Sequence, residues 1–325
     1  MDSAPLVSVV IPVFNTAGYI AQTIDALLAQ TFRNFELLIL DDGSTDATAE
    51  IVHSYADRDS RIRVITRGNR GIVASRNELI AACRGKYMAA NDADDLSVPE
   101  RLEKQVAYME SHPDYVLLGS RVVVMDPYGS PTYVSGHKLT HEEIERELLG
   151  NGGGWAIVQS SMICRTDAAR NVGGYRGEHP VFSEDHDFYL RVAELGKVAN
   201  LDEPLVWYRR HYSSTTRTYY LEKVARHAET RERVLREAHE RRGLPFPADW
   251  KFVPMTAPPR DEQARLWGWA ALKHGNVDVA RKHARSALSY RPFKPASWSL
   301  LLAAYRPARS THQQTFPNAY RSMSS

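Results

Sequence analysis

Cysteine is scarce in this chain. The 325 residues include only Cys83 and Cys164, which lie far apart and match no metal-binding or redox spacing. The sequence therefore gives no sign of a disulfide framework, which is typical of a protein from a reducing compartment.

Long hydrophobic runs are also missing. No apolar stretch approaches the ~18 residues that a bilayer-spanning helix needs, and the longest late candidate covers only residues 298–305. The N-terminus lacks a basic region and Pro12 interrupts the first apolar run, so we predict no signal peptide. We therefore expect a cytoplasmic protein, whose association with a membrane would be peripheral and on its inner face.

The common phosphate-binding motifs are absent as well. No G-x-G-x-x-G follows the first predicted strand, and G-x-x-x-x-G-K-[ST] occurs nowhere. These absences exclude the usual dinucleotide-binding fingerprint and the P-loop.

Acidic residues are missing from the end of the chain. Residues 279–325 contain eight Arg or Lys and no Asp or Glu, so they carry +8 while residues 1–278 carry −6. A basic tail indicates either an anionic partner or a contribution to solubility, and the sequence leaves both alternatives open. If the tail binds an anionic partner, we expect peripheral contact with a membrane and no binding of nucleic acid.

What the sequence does contain is an alternation of apolar strands and amphipathic helices. Runs beginning at Val7, Phe35, Ile62 and Tyr87 predict four strands separated by three helices. Such alternation predicts an α/β fold with a parallel sheet and right-handed crossovers. We expect a catalytic domain over residues 1–215, a helix and Pro-rich linker over 216–260, and a basic, all-helical appendage over 261–325.

Proline and glycine residues predict where several of these elements end. We predict that Pro12 ends the first strand and that Gly85 stops the helix before the fourth strand. In the appendage we predict three helices over residues 262–274, 277–290 and 296–305, with Gly275-Asn276 as the break between the first two.

The fourth predicted strand ends in three carboxylates. Asp92, Asp94 and Asp95 closely follow the apolar run Tyr87–Ala90. Ligands of open α/β sheets bind at the carboxyl ends of the strands. Clustered carboxylates repel one another, and a divalent cation with a substrate diphosphate would offset that repulsion. The alternative is a solvated acidic turn that caps a helix beginning near Pro99.

Seven short motifs resemble those of a known enzyme family. In chain order they are Val9–Asn15, Asp41–Asp46, Ser75–Asn77, Asp92–Asp95, Gly173–Tyr175, Glu184–Asp185 and Tyr208–His211. Together they resemble family 2 inverting glycosyltransferases with the GT-A fold, over about residues 5–215. The resemblance implies a Rossmann-like, mixed but mostly parallel sheet flanked by helices. It also implies a nucleotide-sugar donor, most often a UDP-sugar, and a Mn²⁺ or Mg²⁺ ion.

The same resemblance implies how the nucleotide base would be held. Pro12, Val13 and Asn15 would form the loop around the base, and the Asp42 carboxylate would accept the uracil N3–H. As an alternative, Asp41 or Asp42 caps the helix that follows.

Further residues would hold the diphosphate and ribose. Arg70 and Arg76 would pair with the diphosphate, although an ion pair with nearby acids is an equal alternative for Arg70. Asp92 would contact the ribose or a metal-bound water, and the small Ala93 would let the backbone pass close to the nucleotide.

The metal would be ligated by Asp94 and, as in some relatives, by His211. Asp95 would point away and cap the helix near Pro99. The alternative for His211 is a histidine on the surface without a ligand.

Asp185 would act as the catalytic base towards the acceptor hydroxyl, and Glu184 would orient it or bind the sugar. General-base assistance is typically worth ~10²–10⁴-fold in rate. The alternative is an ordinary acidic helix N-terminus.

The glycine-rich segment Asn151–Trp155 fits either a loop that closes on a ligand or a plain linker around a core Trp.

The sequence therefore predicts an inverting glycosyltransferase that moves a sugar from a nucleotide-diphosphate sugar to a hydroxyl of a glycan, a lipid-linked acceptor or a cell-surface polysaccharide. Two alternatives are a nucleotide-sugar-binding protein without transfer activity and a nucleotidyltransferase. The second would need a triphosphate loop, and the sequence shows no obvious one.

Overall fold

The predicted alternation of strands and helices is confirmed in a computed structural model. The structure describes residues 4–136, 138–150, 155–177, 183–212, 224–254 and 258–306. Its strands are β1 Val7–Val13, β2 Phe35–Asp41, β3 Ile62–Thr66, β4 Tyr87–Ala90, β5 Leu96–Ser97, β6 Tyr115–Met125, β7 Pro131–Ser135, β8 Ile163–Arg165 and β9 Lys197–Arg209. Its α-helices are α1 Ile20–Leu28, α2 Thr48–Ala56, α3 Ile72–Ala82, α4 Arg101–Ser111, α5 His141–Leu149, α6 Thr166–Asn171, α7 Glu184–Val192, α8 Val224–Arg241, α9 Arg260–Lys273, α10 Val277–Tyr290 and α11 Pro295–Tyr305.

The chain divides into two compact units, each assembled from separate stretches of sequence. Unit one comprises Met1–Val122, Gly136–Trp207 and Lys223–Pro254. Unit two comprises Val123–Ser135, Tyr208–Glu222 and Met255–Ser325. The continuous division at residues 215 and 260 stays a prediction about domains.

The strand order of the sheet is β3-β2-β1-β4-β8-β6-β9-β5, with β7 paired to β6. The strands β3, β2, β1 and β4 run parallel to one another, as the βα alternation requires. In contrast, β8 runs antiparallel to both β4 and β6, and β5 runs antiparallel to β9. The sheet is therefore mixed, and β1, β2 and β4 end at the same edge.

The strand β1 is buried on both faces, as expected for a central strand of a parallel sheet. Val9 and Ile11 face one apolar core together with Leu37 and Ile39, and Val10 faces the other. This continuous burial explains why β1 reads as a mostly apolar, β-branched run rather than as an alternating one.

Pro12 does not end the first strand, contrary to the sequence prediction. It lies inside β1, opposite Leu40 of β2. The Val10 carbonyl accepts a hydrogen bond from the Asn91 N–H, so residues 10 and 12 turn their backbone polar groups towards the β4 side. Because β4 ends at Ala90, no ladder bond is lost where proline lacks its N–H.

Gly85 does not cap α3, although the sequence predicted it as the stop signal. That helix ends at Ala82, and Cys83 already has extended geometry with φ −58° and ψ 132°. A Cβ on Gly85 would lie 2.6 Å from the Ser8 amide nitrogen. The glycine is therefore required by its close approach to β1.

The stretch predicted as a Pro-rich linker contributes to the packing of unit one. Val234, Leu235 and Ala238 of α8 are fully buried in one core, and Phe246 and Trp250 pack against the same core. These contacts explain why the apolar residues in this segment are large.

Unit two contains the three C-terminal helices that the sequence predicted. The Gly275-Asn276 break between α9 and α10 is confirmed, with Gly275 at φ 77° and the Asn276 side chain accepting a hydrogen bond from the Val279 N–H. His283 of α10 donates from Nε2 to the fully buried Asp126 carboxylate at 2.8 Å, which ties the helices to the turn before β7.

No helix among the residues that the structure describes is long and apolar enough to cross a membrane.

Candidate functional site

The acidic motif lies in a tight turn at the carboxyl end of β4. Asn91 donates from Nδ2 to the carbonyl oxygen of Asp92 at 2.8 Å. Ala93 is buried, and its carbonyl accepts a hydrogen bond from Thr23 Oγ1 at 2.9 Å. The small side chain of Ala93 therefore faces protein, and the partly exposed Asp92 and Asp94 flank it.

Asp95 does not cap a helix, so that prediction was wrong. The residue is fully buried, and β5 separates it from the next helix. That helix begins at Arg101, after an N-terminal residue, Glu100, whose side chain makes no capping hydrogen bond. The charge of Asp95 instead acts on the Arg101 guanidinium, where it partly opposes the lowering of the pKa by burial.

Arg101 is a residue of the site region that the sequence reasoning missed. Its side chain is completely buried, and the guanidinium donates to two carbonyl oxygens, those of Ala90 and Met162, and to the side chains of Asn91 and Ser97. Burial lowers the pKa of Arg101 to about 9. No periodicity or motif identifies such a residue, because its acceptors come from segments far apart in the chain.

The Asp92 carboxylate is held from the opposite side of the turn. Ser160, in a short 3₁₀ helix formed by Gln159–Ser161, donates from Oγ to Asp92 Oδ2 at 2.9 Å. Burial raises the pKa of Asp92, and the neighbouring charges of Asp94 and Asp185 add to the rise. The hydrogen bond from Ser160 opposes it. The acids of two separate motifs are thus close enough to repel one another.

Arg76 joins these two acidic motifs. Its Nη1 donates to Glu184 Oε1 at 3.1 Å, and its Nη2 lies 3.8 Å from Asp92 Oδ1. Burial by itself would lower the pKa of Arg76. The negative charges of the surrounding carboxylates, together with Tyr175 when its phenol is ionised, outweigh burial and raise the pKa of Arg76. The Nε–H of Arg76 is buried and has no hydrogen-bond partner among the described residues.

The motif Gly173–Tyr175 meets the motif of Arg76 through Asn77. Asn77 donates from Nδ2 to the Tyr175 carbonyl and accepts the Tyr175 N–H on Oδ1, both at 2.7 Å. A Cβ on Gly174 would lie 2.3 Å from that Oδ1, and Gly174 has φ 69°. The glycine is therefore needed for the pairing, which places the Tyr175 ring 5.1 Å from the Arg76 guanidinium.

A small cleft opens between these groups. Gln159 spans part of its wall, because it donates to Tyr175 Oη at 2.8 Å and accepts from Tyr189 Oη at 2.5 Å. The sequence reasoning named neither Gln159 nor Tyr189. The residues lining the cleft are Val10, Pro12, Arg76, Met88, Ala90, Asn91, Asp92, Gln159 and Tyr175.

Glu184 and Asp185 are the first two residues of α7. Glu184 is buried, and Asp185 is half-buried. The Asp185 carboxylate accepts the N–H of His186 at 2.7 Å. Its charge acts on Arg76, Asp92 and Tyr175, so the structure brings Asp185 near the acidic turn.

The predicted base-binding residues lie at the ends of β1 and β2. The Asp42 carboxylate accepts the N–H groups of Arg70 and Gly71, at 2.9 and 2.8 Å, and pairs with Arg67 at 2.7 Å. Asp42 therefore holds the turn before α3 and does not cap α2. The exposed Arg70 meets Asp42 through its backbone and not through its guanidinium.

Asn15 and Val13 shape the loop after β1. Asn15 has φ 52°, the left-handed conformation, and its Oδ1 accepts the Thr45 N–H at 2.8 Å. The Val13 carbonyl accepts the Asp42 N–H at 2.9 Å. These bonds join the two loops in which the sequence placed the nucleotide base.

The metal ligands stay a prediction. Among the described residues, no group of three or more His, Cys, Asp or Glu side chains is arranged to hold a metal ion. Asp94 belongs to unit one and the half-buried His211 to unit two. Of the predicted loop, Asn151–Gly154 lies outside the described residues, and Trp155 is half-buried.

The solved structures that this protein resembles share its fold. The crystal structure of S. aureus TarS 1-349 in complex with UDP-GlcNAc matches with a TM-score of 0.55 at 18% identity, covering 92% of this chain and 89% of that one. The mannosyltransferase PcManGT from Pyrobaculum calidifontis, in complex with GDP-Man and Mn²⁺, matches with a TM-score of 0.52 at 18% identity, covering 93% and 80%. Both likenesses extend over nearly the whole of this chain.

The sequence comparisons identify the family. The model of glycosyl transferase family 2 matches residues 8–173, which is about half of the chain. EpsE of Bacillus subtilis, named as a glycosyltransferase, is 36% identical over 209 residues, or 63% of this chain and 73% of that protein. The matched region contains β1 to β4, the acidic turn and Arg76. The chain therefore belongs to glycosyl transferase family 2 and is a glycosyltransferase with a GT-A-type fold.

Proposed function

We propose that this glycosyltransferase is inverting and transfers a sugar from a UDP-sugar to a hydroxyl group of a glycan, a lipid-linked acceptor or a cell-surface polysaccharide. One observation carries the proposal. Arg76 contacts both Asp92 of the acidic turn and Glu184 of α7, and Asp185 acts electrostatically on the same guanidinium. The group proposed to hold the donor and the group proposed to deprotonate the acceptor therefore belong to one cluster.

Arg76 is suited to bind the donor diphosphate. Its buried Nε–H lacks a hydrogen-bond partner among the described residues, and an anionic oxygen would supply one. Arg70, exposed on the turn before α3, would reach the same anion. Asp92, which Ser160 holds by a hydrogen bond, would contact the ribose or a metal-bound water. The backbone at Ala93 would pass close to the nucleotide.

The acidic turn suits a Mn²⁺ or Mg²⁺ ion. Burial and the charges of Asp94 and Asp185 raise the pKa of Asp92, and a cation would relieve this repulsion. Carboxylate oxygens are the ligands that these ions prefer. We propose Asp94 as the principal ligand and His211 as a further one. When bound, the ion would stabilise negative charge on the departing diphosphate.

Asp185 is proposed as the base. Its carboxylate would take the proton from the acceptor hydroxyl, and that oxygen would bond to the anomeric carbon as the bond from this carbon to the diphosphate breaks. A single displacement of this kind inverts the anomeric configuration. Asp185 lies in the first turn of α7, and Glu184 beside it would orient the sugar or the base.

The nucleotide base of the donor would contact the loops after β1 and β2. Pro12 lines the cleft, and Val13 and Asn15 are joined to the β2 loop by hydrogen bonds. Asp42 Oδ2 accepts the N–H of Gly71, and a second lone pair on this oxygen would accept the N3–H of uracil. TarS is described with UDP-GlcNAc and PcManGT with GDP-Man and Mn²⁺, which supports a nucleotide-sugar donor in general.

Peripheral contact with an anionic membrane is proposed for the basic C-terminal region. It rests on the charge asymmetry of residues 279–325, which hold eight Arg or Lys and no acidic residue.

The donor proposal is tested by calorimetric titration with UDP, GDP and their sugars, in Mn²⁺, in Mg²⁺ and in chelator. We expect metal-dependent binding of UDP and of one UDP-sugar, and NMR of the product should show an inverted anomeric centre. Binding of GDP but not of UDP would overturn the assignment of a UDP-sugar as donor. A retained configuration would overturn the single displacement and the role of Asp185.

A further inference from the structure

The last helix of unit two exposes a stripe of large apolar side chains. In α11, Ser297, Leu300 and Ala304 are buried against the unit. On another side of the helix, Trp298, Leu302 and Tyr305 recur at i, i+4 and i+7 and are 49%, 60% and 54% exposed. This spacing makes them neighbours on one helix face. Exposed apolar surface of this kind marks an interaction site more often than a lone exposed residue does.

The stripe continues into the turn before α11. Phe293, at the tip of this turn, is 95% exposed. The Trp298 indole donates from Nε1 to the Pro292 carbonyl at 2.7 Å, so the turn is fastened to the helix that carries the stripe. The aromatic tip and the stripe are therefore parts of one local structure. We call the set Phe293, Trp298, Leu302 and Tyr305 the aromatic face.

Basic side chains border the aromatic face. Arg285 donates to Tyr305 Oη at 2.9 Å, and the Arg281 guanidinium lies 4.5 Å from the centre of the same ring. At the other end, Phe293 is flanked in sequence by Arg291 and Lys294. Residues 279–306 contain six Arg or Lys and no acidic residue.

The cations near Phe293 are only partly neutralised. Arg291 and Lys294 both pair with Asp261, at 3.6 and 3.4 Å, and Arg265 pairs with the same carboxylate at 2.6 Å. Three positive charges around one negative charge leave a net positive surface. Such a surface attracts an anionic partner over about a Debye length.

We propose that the aromatic face docks this protein on an anionic lipid bilayer, with Phe293 entering the interfacial region. The inference rests on the membrane contact proposed above and is independent of the donor chemistry. Aromatic rings with a polar tip, such as Trp298 and Tyr305, favour the level of the lipid headgroups, and bordering Arg and Lys bind anionic headgroups. A second copy of this face is a poorer occupant, because its basic border would meet like charge.

Flotation of the full chain with lipid vesicles tests the proposal. The vesicles are phosphatidylcholine, with or without phosphatidylglycerol, at low and at high salt. We expect binding only to the anionic vesicles, with a marked loss at high salt. The variant Phe293→Ser with Leu302→Ser should bind at least about tenfold more weakly, because two apolar side chains no longer enter the interface. The matched control is Leu195→Ser, which changes an apolar residue of unit one that is 48% exposed.

The outcomes separate this inference from the other proposals. Absence of wild-type binding to anionic vesicles would overturn both membrane proposals, whereas nucleotide titrations would still test the donor. Binding that the double variant leaves unchanged would overturn the aromatic face alone. A self-association seen in sedimentation and abolished by the double variant would assign the face to a second copy and overturn the lipid proposal.

Discussion

Arg76 donates a hydrogen bond from Nη1 to Oε1 of Glu184 at 3.1 Å, across a sequence separation of 108 residues. Both side chains are largely buried, at 11% and 5% exposure. This pair joins the start of α3 to the first turn of α7 at the edge of the sheet where the acidic turn lies.

The pair should show strong energetic coupling. Arg76→Met removes this cation from the buried carboxylate of Glu184, so the free energy of unfolding should fall by more than in the double variant Arg76→Met with Glu184→Gln. We expect a coupling of about 1–3 kcal/mol from urea denaturation of the full double-mutant cycle. Arg63→Met is the matched control, because its partner Glu36 keeps a second cation, Arg84. Additive single effects at residues 76 and 184 would contradict the pairing.

Asp185→Asn should reduce kcat about 10²–10⁴-fold and leave nucleotide affinity nearly unchanged, because the base acts on the acceptor and not on the donor. Steady-state kinetics and calorimetry measure the two effects. Asp167→Asn is a close control, since Asp167 also accepts the N–H of the next residue, at 2.7 Å, in the first turn of a helix. Equal activity of Asp185→Asn and wild type would remove the base assignment.

Asp94→Asn should weaken UDP binding in Mn²⁺ by at least about tenfold and abolish the difference between Mn²⁺ and chelator. The reason is that an amide oxygen is a poorer ligand for a hard cation than a carboxylate. Calorimetric titration measures both quantities. Asp57→Asn, at an exposed position after α2, serves as control. A metal response that survives the substitution would assign the ion to other ligands.

Arg101→Met should lower the free energy of unfolding by about 3–5 kcal/mol, because Asn91, Ala90 and Met162 would lose a buried donor. Arg61→Met, at a partly exposed pair with Asp59, should cost less than about 1 kcal/mol. Urea denaturation compares the two variants. A loss at Arg101 no larger than that at Arg61 would show that the buried network contributes little.

His186 should make the protein less stable in acid. Burial lowers the pKa of this histidine to about 3, and its Nε2 lies 2.7 Å from the Leu148 carbonyl. Between pH 6.5 and 3 the unfolded chain binds a proton that the folded chain does not. The free energy of unfolding is therefore undiminished by this histidine above pH 6.5, and it falls as the pH decreases below that value. The loss by pH 5 is about 2 kcal/mol.

Urea denaturation at pH 7 and pH 5 checks this dependence. His186→Gln should lose less stability than wild type over this interval, whereas His53→Gln, at an exposed histidine, should follow wild type. Identical pH dependence in His186→Gln and wild type would contradict the assignment.

The periodic segments were predicted well from the sequence, because hydrophobic spacing reports burial directly. The four strands up to β4, the helices α9, α10 and α11 and the Gly275-Asn276 break all occur where the pattern indicated. Pro12, Gly85 and Asp95 were misread. Each is governed by a neighbour from another part of the sheet, and local pattern rules do not contain that neighbour.

The motifs of the site were visible in the sequence, but their relations were not. Asn77 and Tyr175 stood in separate motifs, and only folding pairs them through two hydrogen bonds of 2.7 Å. Gln159, Tyr189 and Arg101 carried no signal, because a polar residue becomes part of a site through the partners that the fold supplies.

The sequence by itself determined the fold class, the family and the acidic turn after β4, since these depend on spacing along one stretch of chain. Tertiary structure alone decided which acidic side chain contacts which partner. Arg76 faces Asp92 and Glu184, and Asp42 holds the turn before α3, because the strand order brings distant segments to one sheet edge. The exposure of Phe293 and Trp298 was likewise decided by packing, since helical spacing does not say which face of a largely apolar helix its neighbours cover.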